Sequence, residues 1–181
     1  MEYLAKKNMN QNKMKVENVI KLLKDVRKKR PVLACINYNS DTQLISITNA
    51  YAIVQEKSRT QINETFNLNV FDLELSQDKY PELENIKKPS HNFESIDNIE
   101  IIVVDNKMYY KINNNDSVIF DRTLVDNSFK CLTNIVESKN KYVSLENINN
   151  EYLGIDNRKL IYHNRDTDDF VLVLGVIQNN Y

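Results

Sequence analysis

The sequence predicts an α+β domain made of two β-α-β-β-β units, their antiparallel sheets paired and both helices on one side. Three observations point there. The chain has 181 residues, 41% hydrophobic and 27% charged, enough for a single core. Apolar residues recur at helical spacing in two stretches, and each stretch is followed by runs of strand-forming residues broken by turn formers. The order helix-then-meander occurs twice without a residue-level repeat, and two such units bury their apolar surfaces by joining sheets.

Residues 1–12, polar and rich in Lys and Asn, read as a flexible N-terminus, and 13–181 as one domain: a first half over about 13–75, a crossover over about 76–98 and a second half over about 99–181. Val16, Val19, Ile20, Leu23 and Val26 define an amphipathic helix that Pro31 bounds. VLACINYN, TQLISITN and AYAIVQEK follow as a three-stranded meander, with NSD as a turn. The less regular stretch FNLNVFDLELSQDKYPELENIKKPSHNFESI holds Pro81 and Pro89 and is too apolar for a flexible linker. IEIIVVDN and KMYYKINN form a hairpin around Asp105-Asn106, and SVIFDRT leads into the second half. There Val125, Phe129, Leu132 and Val136 make a second helix, with Asp121 or Thr123 as N-cap. KYVSLENI, EYLGIDNRKLIYH and DFVLVLGVIQ complete it as three strand-like runs.

The composition excludes several chemistries. Gly154 and Gly175 are the only glycines and lie far apart, so no Gly-rich loop can bring backbone amides to a phosphate. Asparagine, with 27 residues, is the substitute for turns that need left-handed angles. No apolar run is long enough to span a bilayer and the N-terminus lacks a signal-peptide core, which gives the expectation of a soluble, cytoplasmic protein. Cys35 and Cys131 sit among apolar residues and read as small core hydrophobes. With only His91 and His163 beside them, no zinc spacing exists, and the cluster Asp166, Asp168, Asp169 reads as a solvated turn. No metal, no cofactor and no catalytic set is expected; an enzyme whose site is scattered along the chain is the third alternative.

Charge is distributed unevenly. Residues 1–30 carry ten Lys or Arg against three Asp or Glu, leaving fourteen against twenty-two for the rest of a chain whose net charge is −1. Lys21, Lys24 and Lys28 follow at helical spacing opposite the apolar stripe, with Arg27, Lys29 and Arg30 clustered at its end. This face could meet phosphates, or it could be a solvated helix end whose cations answer the macrodipole.

The run RPVLACINYN followed by LISITNAYAIV resembles the bacterial DNA sliding clamp, the β subunit of DNA polymerase III. Arg30-Pro31 ends a helix before a strand, and Thr48, Asn49, Ala50, Tyr51, Ala52 and Ile53 stand where that family has a Thr-Asp-Gly-His/Tyr-Arg-Leu segment. Tyr80-Pro81, Ile86 and Pro89 resemble the family's crossover, and FVLVLGVI its closing strand. The family's arginines and the proline of the closing strand are absent: Ala52, Leu174 and Val176 stand there. The resemblance implies a clamp-like DNA replication accessory protein and processivity factor that contacts duplex DNA through backbone phosphates. Its DNA contacts would be Lys21, Lys24, Arg27, Lys28 and Lys29 on the first helix and Lys130, the one cation beside Asn127 and Asn134 on the face of the second helix opposite Val125 and Phe129. It also implies an apolar cleft for DNA polymerase or other replication proteins, formed by Thr48, Tyr51, Ile53, Leu174, Gly175, Val176 and Ile177. Gly175, within the closing strand, marks a close approach by another backbone or a ligand. A ring would require one domain of this size to assemble as a homo-oligomer or join another clamp. The competing expectation is a clamp-like protein-interaction domain that does not bind DNA, in keeping with the near-neutral net charge.

Overall fold

The computed structural model describes residues 16–87, 93–138 and 143–178. The expected leading stretch of the first half, the flexible N-terminus, His91, Pro89 and the first residues of KYVSLENI lie outside them. Helix α1 spans Val16–Leu23, and strands β1 (Cys35–Asn39), β2 (Leu44–Thr48), β3 (Ala52–Lys57), β4 (Phe66–Asn69) and β5 (Leu75–Ser76) follow. A short helix α2 (Glu84–Lys87) and β6 (Phe93–Ser95) precede β7 (Ile99–Val104), β8 (Lys107–Ile112) and β9 (Val118–Asp121). Helices α3 (Arg122–Cys131) and α4 (Thr133–Ser138) lead to β10 (Leu153–Asp156), β11 (Lys159–Asn164), β12 (Asp169–Leu174) and β13 (Val176–Ile177). The fold is α+β with two antiparallel sheets, as expected.

The main sheet has nine strands in the order β5-β4-β1-β2-β3-β12-β11-β10-β6. Outward from the β3–β12 junction, each half lays down its meander in reverse, with β4 and then β5 outside β1 on one side and β6 outside β10 on the other. The two units therefore join through their last meander strands, with Val54 opposite Val171 and Ile53 opposite Leu172. Period-two alternation decides which residues face which layer. Ile45, Ile47, Val54, Leu160, Val171 and Val173 point to one face, where Val19, Leu22 and Leu23 of α1 and Val125 and Phe129 of α3 cover them in one buried cluster. Cys35, Ile53, Ile161, Phe170 and Leu172 form a smaller cluster with Tyr80 and Leu83. Those two belong to the crossover, whose Tyr80 hydroxyl donates to the Ser46 carbonyl (3.3 Å). Cys35 and Cys131 are buried and free, the packing role expected of them.

Left-handed turns fall on Asp105, Asn106, Asn113, Asn114, Asn157 and Asp168 among others, whereas neither glycine has positive φ. The adjacent pair at 105–106 closes the β7–β8 hairpin where the sequence placed it. Asp168 pairs with Lys57 (3.4 Å) in the turn before β12.

Several expectations are corrected. Helix α1 stops at Leu23 rather than running through Val26, because Asn49 Nδ2 donates to the Leu22 carbonyl (3.3 Å) and the Val26 amide turns to Leu23 (3.2 Å). The second helix is two helices, since the Thr133 amide donates to Glu56 Oε2 (2.9 Å) and leaves the ladder at Leu132. Asp121, not Thr123, caps α3 by accepting from the Leu124 amide (3.0 Å). The described part of KYVSLENI is not a strand: Leu145–Asn147 is a 3-10 turn, and the Leu145 amide finds the Tyr110 hydroxyl (3.4 Å) instead of a neighbouring strand. EYLGIDNRKLIYH is a hairpin of two strands, so β10-β11-β12 form the second meander. DFVLVLGVIQ also divides, at Gly175, after which β13 leaves the main sheet to pair with β9 in a smaller sheet ordered β13-β9-β8-β7. No helix among the described residues is long and apolar enough to cross a membrane.

Candidate nucleic-acid interface

The β2–β3 connection is built around one asparagine. Asn49 Oδ1 accepts from the amides of Tyr51 (3.0 Å) and Ala52 (2.8 Å), while the Thr48 hydroxyl donates to the Ala52 carbonyl (2.7 Å) and accepts from the Ala50 amide (3.2 Å). Ala50 is held at φ 76°, a left-handed angle that costs a residue with a Cβ on the order of 1–3 kcal/mol and persists only where its surroundings fix it. Here they do. The turn turns Tyr51 outward, leaving it 64% exposed, while the Tyr51 carbonyl accepts from the Leu174 amide (2.8 Å).

Helices α1 and α3 run antiparallel, as shown by Asn18 Nδ2 of α1 donating to the Lys130 carbonyl at the far end of α3 (2.8 Å). The C-terminal end of α1 therefore meets the N-terminal end of α3, and the Tyr51 turn closes the space between them. The result is a groove of about 470 Å³. Lys21, Lys24, Lys29 and Arg30 stand on one wall, Thr123 and Asn127 on the other, and Asn49, Ala50 and Tyr51 at the end. Four cations outnumber two carboxylates, Asp25 and Asp121, and Asp121 is already committed to capping α3. All four cations are exposed, so their field reaches solvent and is screened over about a Debye length.

The expected DNA contacts thus separate. Lys21, Lys24 and Lys29 share the groove. Lys28 is exposed on the turn after α1, and Arg27 lies over the Phe71 ring (4.6 Å), away toward β4 and β5. Because α1 ends at Leu23, Lys24 and Lys28 are carried by turns rather than by a helix face. Lys130 sits a turn beyond Asn127 on α3, outside the residues that line the groove.

The expected cleft residues also separate. Thr48 and Ile53 are buried, Ile53 in the outer cluster that Leu174 packs against. Val176 and Ile177 are each 49% exposed on β13 of the smaller sheet. Gly175 has a packing reason for lacking a side chain, which corrects the ligand reading: a Cβ there would collide with Val118 Cγ1 and press on Phe120. Tyr51 belongs with the cations. Residue spacing could not show that Arg30, Asn49, Thr123 and Asn127 join them. The one available signal was ITNAY itself, a glycine-free turn with an aromatic residue at its tip.

Compared with known proteins, the chain matches no family model, no curated protein and no solved structure.

Proposed function

We propose that the chain is a non-enzymatic, clamp-like replication accessory protein that contacts nucleic acid through phosphate neutralisation in the groove between α1 and α3. The observation that carries this reading is the convergence of Lys21, Lys24, Lys29 and Arg30 on one groove that also exposes Tyr51, in a chain whose remaining charge is negative. Such contacts read phosphate rather than base edges, so binding is sequence-independent and weakens with salt. The twofold order of the main sheet agrees with the duplicated unit read from the repeated helix-then-meander order, an architecture compatible with the clamp resemblance. Replacing Lys21, Lys24 and Lys29 with Glu tests the reading: duplex affinity at low salt should fall by at least about tenfold, equally for unrelated sequences. Unchanged affinity, or no affinity in either protein, contradicts it.

A second reading, a cytoplasmic protein-interaction domain with the same fold and no DNA role, is favoured by the β7–β8 hairpin. Val103 is 68% and Met108 50% exposed there, and β7 pairs with β8 alone among the described strands. Recovery of a DNA polymerase, another replication protein or a further copy of the chain from nuclease-treated extract, lost on Val103→Lys, supports that reading.

A further inference from the structure

Resting on the reading of the groove as a nucleic-acid contact, we infer that Tyr51 makes it a single-strand site, in which a nucleobase stacks on the Tyr51 ring while the adjoining phosphates lie against Lys21, Lys24, Lys29 and Arg30. Tyr51 is the most exposed aromatic side chain among the described residues, at 64%, although apolar surface of this size is usually buried. Its display is fixed by structure. The left-handed Ala50 and the paired amide bonds to Asn49 Oδ1 hold the backbone on both sides of the ring, and the Leu174 amide holds its carbonyl (2.8 Å). A ring so held loses little freedom when a flat partner lands on it.

The surrounding chemistry selects that partner. A cationic rim alone would take any polyanion, and an exposed ring alone any flat apolar group. Their combination in one groove of about 470 Å³ fits a nucleotide unit, with a π-face and a phosphate one bond path apart. Thr123 and Asn127 on the α3 wall offer hydroxyl and amide groups that suit base edges or sugar without enforcing a sequence. In a duplex the faces of the bases are occupied by their neighbours, so the same cations meet the backbone but Tyr51 gains no base. The groove therefore prefers single strands, DNA or RNA, over duplex.

Fluorescence anisotropy at low salt with oligothymidylate, oligouridylate, an abasic backbone of the same length and a duplex tests this. The abasic strand should bind roughly 5- to 150-fold more weakly than the better of the two base-bearing strands, the range set by one stacked base. Tyr51→Ala should bring that strand down to the abasic level and leave duplex binding unchanged; the side chain is exposed, so its removal does not touch the core. Tyr51→Trp, the only tryptophan the chain would contain, should retain affinity and be quenched on binding. Equal binding of base-bearing and abasic strands, or indifference to Tyr51→Ala with duplex binding intact, overturns the stacking site and leaves the phosphate reading standing. Absence of binding to every probe overturns both.

Discussion

Glu56 and Asp169 occupy facing positions at the β3–β12 junction, next to the paired Gln55 and Phe170, and both are buried. Two carboxylates in that position cannot both ionise without cost. Burial pushes Glu56 up to about 7, with the charge of Asp169 adding to the effect, while Thr133 and Arg59 oppose it. Asp169 is raised as well, by burial first, against donors that include Asn134 (3.0 Å). A carboxyl with a raised native pKa keeps its proton in the folded chain over a range where the unfolded chain releases it. Its contribution to stability therefore declines as pH rises from the ordinary carboxylate range through about 7. Thermal unfolding should show a loss on the order of 2–3 kcal/mol between about pH 5 and 8, and Glu56→Gln, which still accepts from the Thr133 amide, should flatten the profile. A stability that rises across this window would contradict the assignment. The two glycines give a second test. At Gly154 the atoms nearest an added Cβ belong to the ring tip of Phe93, 48% exposed on an edge strand, whereas at Gly175 the nearest is Val118 Cγ1, beside buried Phe120. Gly175→Ala should cost about 1–3 kcal/mol by overpacking and Gly154→Ala clearly less in denaturant titrations; the reverse order would show that the ring of Phe93 cannot swing aside.

Elements were legible where local patterns decided them and illegible where a distant side chain did. The first meander, the Asp105-Asn106 hairpin and the apolar faces of both helices follow from alternation, turn chemistry and helical spacing in the residues themselves. The ends of α1 and α3 do not. Both are set by buried polar groups contributed by the β2–β3 region, Asn49 to the Leu22 carbonyl and Glu56 to the Thr133 amide, and no periodicity in the helices carries that information. The same holds for the groove: its basic wall was visible as a charge run, but Tyr51 was placed with the closing strand because only tertiary structure brings the turn to the end of α1. Asn49 ties these facts together, since it accepts from two turn amides and donates to α1, which an aspartate could not do. Asn49→Asp would keep the acceptor and set a carboxylate oxygen against the Leu22 carbonyl. It should destabilise the fold by about 1–3 kcal/mol in chemical unfolding and weaken duplex binding by moving the end of α1; unchanged stability would show that the Asn49–Leu22 bond does not fix that end.

At the scale of the whole molecule, one continuous sheet carries both halves, and the end of α1 with the turn after it sets four exposed cations beside a hydrogen-bonded aromatic turn. The second sheet reaches the groove through Asp121 at the end of β9, and its β7–β8 hairpin exposes Val103 and Met108. Cations on turns and helix ends, facing solvent, act through long-range electrostatics rather than through a shaped lock, and the energy of such binding comes from released counterions. The most direct test is therefore the salt dependence of duplex binding by the full chain and by its Lys21, Lys24, Lys29→Glu variant. The logarithm of the binding constant should fall linearly with the logarithm of salt concentration from about 25 to 200 mM for the wild type, with a markedly shallower slope and weaker binding for the variant. Binding that is independent of salt, identical in the two proteins, or absent at the low-salt end would contradict the account.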